Sequence, residues 1–258
     1  MTTAKTLLDG LFRTAIAAAH PSSCLPPHLP LPPAAGRLIV LAAGKAAGAM
    51  TEVAEQHYLD RAKLPPERLM GVAVARHGYG RPSRRIEMIE AGHPVPDAAG
   101  LAAAEKALAI ADQATADDLV LVLLSGGASA NWIAPVEGLS FEDKQAVTRA
   151  LLRSGANISE INTLRKHLSR IKGGRLARRA QPSRLLTLAI SDVPGDDPAQ
   201  VASGPTVPDT VAATTCSIFI ASSTSSAAPA PTAVPAGRST ATTTPAVGAR
   251  TVSASSSG

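Results

Sequence analysis

"DLVLVLLSGGASA", residues 118–130, decides the fold. Leu119 to Leu124 is an unbroken apolar run without the polar alternation of a strand that has one face in water. Such a run needs cover on both faces, which is the setting of a central parallel strand flanked by helices. A glycine pair stops it, and small residues then begin a helix. "RLIVLAAGKAAGAM" (37–50) repeats the pattern as strand, tight turn and helix. "GVAVAR" (71–76), "RIEMIEAG" (85–92) and "RLLTLAIS" (184–191) read as further strands. "DAAGLAAAEKALAIADQA" (97–114), with Asp97 near its start, and "SFEDKQAVTRALLRSG" (140–155), with a capping box from Ser140 to Asp143 and a terminal Gly155, read as helices. "SEINTLRKHLSRIKGG" (159–174) is expected to be one helix capped by Ser159 and stopped by Gly173. Strands alternating with helices predict an α/β fold: a doubly wound, mostly parallel sheet with helices on both faces, Rossmann-like in outline.

Composition agrees with this architecture. Of 258 residues 45% are apolar but only 2% aromatic, so the core must be built from Ala, Val, Leu and Ile. All 20 acidic residues and 23 of the 25 basic ones lie in 1–209, which leaves that part only modestly cationic. Such a balance fits anionic small molecules better than nucleic acid, and the eight Lys and Arg between 165 and 184 lack interleaved aromatics. Cys24 and Cys216 show neither metal spacing nor a disulfide framework, which fits a reducing cytoplasm. The N-terminal stretch reads as an amphipathic surface helix, because Asp9 and Arg13 interrupt its apolar residues. No run is long enough to predict a membrane span.

Ligands of doubly wound sheets sit beyond the carboxyl ends of the strands. Three loops fall there. "AAGKAAG" places Lys45 at a helix start, where the helix end and the ammonium both favour anions. It is neither a Walker A loop nor GxGxxG, and a plain surface lysine reads as well. "SGGASA" sets Ser125, Gly126, Gly127 and Ser129 at a strand-to-helix turn able to cradle phosphate or carboxylate, against the alternative of a simple tight turn. "SDVPGDD" offers Asp192, Asp196 and Asp197, carboxylates suited to Mg²⁺ or to orienting a hydroxyl, unless they only solvate a turn. On the helix from Ser159, helical spacing puts Asn162, Arg165, Lys166, Ser169 and Lys172 on one face, either a basic wall for phosphate or a solvated face beside a core stripe. "GHPVPDAAG" (92–100), with His93, reads as a rigid connector rather than a catalytic histidine. Anion sites beside a carboxylate loop suggest phosphoryl transfer to a small acidic substrate.

"AAGKAAGAM", "GHPVPDAAG", "LLSGGASANW", "LLRSGANISEINTLRKHLSRIKGGRLA" and "ISDVPGDDPAQVASGPTVPD" together resemble, in order, the type II glycerate kinases (glycerate 2-kinases) over about residues 5–209. The resemblance implies ATP-dependent phosphorylation of D-glycerate to 2-phosphoglycerate with Mg²⁺. It implies an active-site lysine at Lys45, a glycine loop at Ser125, Gly126, Gly127 and Ser129, a basic helix at Asn162, Arg165 and Lys166, and an acidic loop at Asp192 and Asp197. Arg165 and Asp192 join Lys45 as expected catalytic groups, and Asp192 and Asp197 as expected metal ligands. Members are often labelled hydroxypyruvate reductases, so an NAD(P)H-dependent reductase is the rival reading, and a non-catalytic ligand-binding fragment is the third. No nucleic-acid or membrane partner is expected, and a homo-oligomer is left open.

After Asp209 the composition changes. Residues 210–258 contain no Leu, Asp, Glu, Lys, Asn or Gln. Such a segment cannot offset its ordering entropy by burial, so a disordered tail is expected. Members of the family continue instead into a second, MOFRL domain that completes the catalytic cleft. The domain division is therefore 1–209 for the α/β domain and 210–258 for the tail, whose abrupt onset reads as a shifted reading frame or a natural linker. Impaired turnover is the corresponding expectation.

Overall fold

The computed structural model describes residues 3–155, 157–209 and 250–253. Six strands, β1 (Leu38–Ala43), β2 (Leu69–Arg76), β3 (Ile86–Ala91), β4 (Leu119–Ser125), β5 (Arg184–Ile190) and β6 (Arg250–Ser253), form one sheet in the order β3-β2-β1-β4-β5-β6. Every pairing is parallel. The expected disordered tail falls on residues outside the described ones, apart from β6, which no sequence signal had marked as a strand. The helices are α1 (Ala4–Ala19), α2 (Pro21–Cys24), α3 (Ala47–Glu55), α4 (Ala98–Asp112), α5 (Ala128–Asn131), α6 (Phe141–Arg153), α7 (Ile158–His167) and α8 (Arg175–Arg179).

β1 and β4 are buried along their whole length. Successive side chains point to opposite faces, so each strand feeds two cores. Ile39, Leu41, Val120, Val122 and Leu124 meet α4 on one face. Leu38, Val40, Ala42, Leu121 and Leu123 meet α3 on the other. The α4 contact is made by Ala103, Ala104, Ala107 and Ala111, which let the helix lie close to the sheet in a protein almost without aromatics. The two strands also leave the sheet in opposite directions, since Ala47 and Met50 of α3 join one core and Ala128 of α5 the other. That divergence is the switch point of a doubly wound sheet.

Two buried carboxylates anchor the other end of the strands. Glu55, at the end of α3, accepts from the N–H groups of Arg84, Arg85 and Ile86 at 2.7, 2.6 and 2.9 Å. It thereby fixes where β3 begins after a connection from β2 that contains no helix. Asp118, just before β4, accepts from the Arg37 N–H at 2.6 Å, from Arg37 Nη2 at 2.8 Å and from the Thr115 N–H at 2.9 Å. It pins the start of β1 to the start of β4. Burial alone would raise its pKa, but the Arg37 guanidinium and these N–H groups hold it well below the usual carboxylate range.

The expected capping box at Ser140 and Asp143 is present on α6, and the Asp97 side chain caps α4 through the Gly100 N–H. The single helix expected over 159–174 is corrected. α7 starts at Ile158, is capped by Asn157, whose Oδ1 accepts from the Glu160 N–H at 3.1 Å, and ends at His167. Beyond it the chain is drawn away, with the Arg170 N–H bonded to the Ala134 carbonyl and Ser169 bridged to Pro135. Ser169 and Lys172 are therefore not on the helical face assigned to them.

Asp118→Ala strands the Arg37 guanidinium and the N–H groups that the carboxylate satisfied, and should cost about 3 kcal/mol in urea denaturation near neutral pH. Because the folded pKa lies below the unfolded one, the difference from wild type should be complete above about pH 4 and shrink as the pH falls further.

Candidate active site

The loops after β1 and β4 meet at the switch point. The Lys45 N–H donates to the Gly126 carbonyl at 2.8 Å, and the Ala46 N–H donates to Ser125 Oγ at 2.9 Å. The Ser125 hydroxyl thus serves to join the two loops. Gly127 has a positive φ of 89° and lets the chain turn at once into α5.

Around this junction the structure assembles side chains from four separate loops. Lys45 Nζ lies 3.1 Å from Asp192 Oδ2, with both side chains about half exposed. The Asp192 carboxylate presses on the glycine loop so closely that a Cβ at residue 126 would lie 2.0 Å from Oδ2. On the other side, a Cβ at residue 127 would lie 2.7 Å from His93 Nε2 and 3.3 Å from Lys45 Cγ. His93, which the sequence reading set aside as part of a connector, lies beside this junction. Burial, then the Lys45 and Arg76 charges, push its pKa down, partly countered by Asp192, so the imidazole stands neutral. Only its place at the carboxyl end of β3 could have marked it beforehand.

The remaining expected residues have more structural tasks. Ser129 Oγ lies 2.7 Å from Ser203 Oγ, and the Ser203 hydroxyl reaches Asn162 Oδ1 at 3.3 Å. Asn162 Nδ2 donates to Gln200 Oε1 at 2.9 Å. This chain ties α5, α7 and the 200–203 loop together. Ala202 and Ser203 are both in the left-handed region, at φ 55° and 60°, a conformation that costs non-glycine residues on the order of 1 kcal/mol each. Lys166 is buried, with Nζ 3.8 Å from Asp209 Oδ1, at the far end of the "ASGPTVPD" loop. Arg165 turns into a separate cleft, taken up below. Asp197 serves its own turn, its Oδ1 accepting from the Ala199 N–H at 2.9 Å.

Asp192 fits a magnesium ion held beside bound phosphates, since it faces the glycine loop, is half exposed and has one cation partner. Asp197 fits less well, with one oxygen already engaged. Among the described residues no cluster of three or more His, Cys, Asp or Glu is suited to a metal. A magnesium ion here would thus take most of its ligands from substrate phosphates and water, as it commonly does. No helix of the described residues is long and apolar enough to cross a membrane.

A parallel doubly wound sheet with a lysine, a carboxylate and a histidine around a glycine loop at its switch point defines an α/β protein with a charged crevice where ligands of such sheets sit. The chain belongs to the family described as domain of unknown function DUF4147, whose model matches residues 7–234. It is 47% identical over 174 residues to the glycerate 2-kinase of Pyrococcus horikoshii, covering 67% of this chain and 38% of the relative. It is 48% identical over 206 residues to a protein of Agrobacterium vitis named as a hydroxypyruvate reductase, covering 80% of this chain and 45% of the relative. The crystal structure of glycerate kinase from Thermotoga maritima superposes with a TM-score of 0.75 at 36% identity, over 87% of this chain and 53% of that one. The chain thus spans about half the length, or less, of the relatives it matches.

Gly126→Ala should displace the Asp192 carboxylate while leaving the sheet intact. The expected result is a thermal midpoint within about 3 °C of wild type, since the group that must give way is the half-exposed Asp192 side chain, and ATP affinity at least tenfold weaker by calorimetry. An unchanged affinity would separate Asp192 and the glycine loop from nucleotide binding.

Proposed function

We propose that the chain carries the catalytic α/β unit of a glycerate 2-kinase, which transfers the γ-phosphoryl group of ATP to D-glycerate. The observation that carries the reading is the convergence of Lys45, Asp192, His93 and the Gly126–Gly127 loop at the carboxyl ends of the strands. The glycerate kinase names of relatives from two organisms support it.

Phosphoryl transfer asks a protein mainly to position the reactants and neutralise charge. Lys45, with its ammonium in the open between two loops, is placed to meet phosphate oxygens. The N–H groups at the Gly127 turn add donors that need no reorganisation. Asp192 holds Lys45 in place and would help hold magnesium, which supplies neutralisation of phosphate charge. His93, neutral and beside the glycine loop, is the group best suited to take the proton of the attacking hydroxyl, because Asp192 is engaged by Lys45. Arg165, the other expected catalytic group, contributes through its own cleft.

The hydroxypyruvate reductase reading rests on names alone, for none of the three loops carries the GxGxxG fingerprint of a dinucleotide site. A coupled assay with ATP and D-glycerate decides between them. Glycerate-dependent ADP release is expected, falling by about 100-fold or more in Lys45→Met through loss of transition-state charge stabilisation. NADH or NADPH oxidation dependent on hydroxypyruvate would overturn the reading, and ATP binding without turnover would leave a ligand-binding unit. A pH profile tests His93 separately: His93→Gln should remove the acidic limb of kcat and cost about 100-fold or more.

A further inference from the structure

Beside the glycine loop, α5, α6, α7 and the 94–96 loop enclose a narrow cleft that none of the groups above uses. Lys144, Arg165 and Lys172 line it, with Pro94, Pro96 and Ile133 as apolar walls. Lys144 and Lys172 are 3% and 2% exposed, unusual for lysine without a carboxylate partner. Lys144 Nζ donates to the Leu168 carbonyl at 2.8 Å. Lys172 Nζ donates to the carbonyls of Ser129 and Trp132 at 3.0 and 2.8 Å. These bonds tie helix ends together, and on their own they would make both lysines purely structural. They account for only part of each ammonium's three N–H groups. They do not account for Arg165, whose guanidinium takes no protein acceptor among the described residues. Nor does any acidic side chain among them line the cleft.

We propose that this cleft binds a small carboxylate, namely the carboxylate of the phosphoryl acceptor. A guanidinium and two buried lysines brought together without a counter-charge are costly to keep protonated, and an incoming anion offsets that cost and favours their charged forms. Burial and then the Arg165 and Arg175 charges push Lys144 down to about 7, while burial first and the neighbouring cations second push Lys172 down as well. Both shifts are those of cations lacking an anion. The cleft is narrow, about 20 Å³, and walled by proline and isoleucine, which excludes a hydrated triphosphate and leaves room for no more than one small group. Arg165 provides the planar fork that pairs with it.

The position suits an acceptor. Pro94 follows His93 directly, and Ser129 lies two residues beyond Gly127, so two walls of the cleft continue in the chain from residues beside the Lys45–Asp192 pair. Gln145 of α6 holds the intervening loop by donating to the Pro96 carbonyl at 2.8 Å. A molecule with a carboxylate at one end and a hydroxyl next to it could place the first in the cleft and the second by His93. The identity of the acceptor rests on the kinase reading, whereas the carboxylate site itself does not.

Calorimetric titration of the full chain with D-glycerate, D-lactate and ATP tests this, using wild type, Arg165→Met and Arg165→Lys. Arg165→Met should weaken both carboxylates by about ten- to a hundredfold, the usual effect of losing a charge-assisted pair, with Arg165→Lys recovering part of the loss. ATP affinity should stay within about twofold, and the thermal midpoint should hold because Arg165 supports no protein group. Equal glycerate affinity in Arg165→Met overturns the proposal. So does an equal loss for ATP, which would make the cleft a phosphate subsite. ATP binding by a wild type that takes neither carboxylate overturns the cleft and spares the kinase reading. Carboxylate binding through Arg165 without ATP binding or ADP release does the reverse.

Discussion

The Lys45 N–H to Gly126 carbonyl bond, with the Ala46 N–H to Ser125 Oγ bond beside it, is the constraint on which the rest of the site depends. It joins the ends of two adjacent parallel strands at the point where their chains part to opposite faces of the sheet. Divergence leaves a crevice, and the two bonds fix its width. Lys45, the Gly127 turn and everything that packs on them are placed by that junction. At the opposite ends of the same strands Asp118 holds β1 and β4 in register, so the pair is pinned at both ends and buried between. A crevice mounted there is carried by two strands that are buried along their whole length.

The sheet was legible because its central strands have no polar face. "LIVLAA" and "LVLVLL" can only be covered on both sides, and that alone selects a parallel sheet between helix layers. Lys45 and the glycine pair were legible for the same reason, since a loop following such a strand falls at the crevice. The caps on α4 and α6 follow from local chemistry within three residues. The "SEINTLRKHLSRIKGG" stretch misled because its helical periodicity persists past His167. The pairing of 169–170 with 134–135, a contact more than thirty residues away, overrides it there. The position of His93 was hidden for a related reason: its neighbours at the glycine loop are brought to it by the fold. β6 had no signal, because a strand of Arg, Thr, Val and Ser at a sheet edge looks like any polar segment.

The basic residues of this protein divide into those spent on the fold and those held ready. Arg37, Arg170 and Arg179 pair with Asp118, Glu105 and Asp112. Arg175 Nη1 donates to the Lys166 carbonyl at 2.7 Å. A count of Lys and Arg between 165 and 184 therefore says little about nucleic acid, since much of that charge is already answered within the chain. Lys45 is held by a single exposed carboxylate, a pair of a kind that contributes little to stability and can open to admit phosphate. The Arg165 guanidinium takes no acceptor among the described residues.

The electrostatic contrast between the two anion sites is what lets them divide the work. The Lys45 site is open and hydrated, so its charge is screened and its partners can exchange, which suits a polyphosphate that must enter and leave. The Lys144–Arg165–Lys172 cleft is narrow and its two lysines are buried, so charge there acts in a medium of lower dielectric. A buried site discriminates strongly between a ligand that brings a compensating charge and one that does not, because the uncompensated state is penalised. Placing such a site one turn of chain from His93 makes binding of the carboxylate end a condition for bringing a hydroxyl to the reacting position. In the proposed arrangement, specificity and orientation come from the same three basic groups.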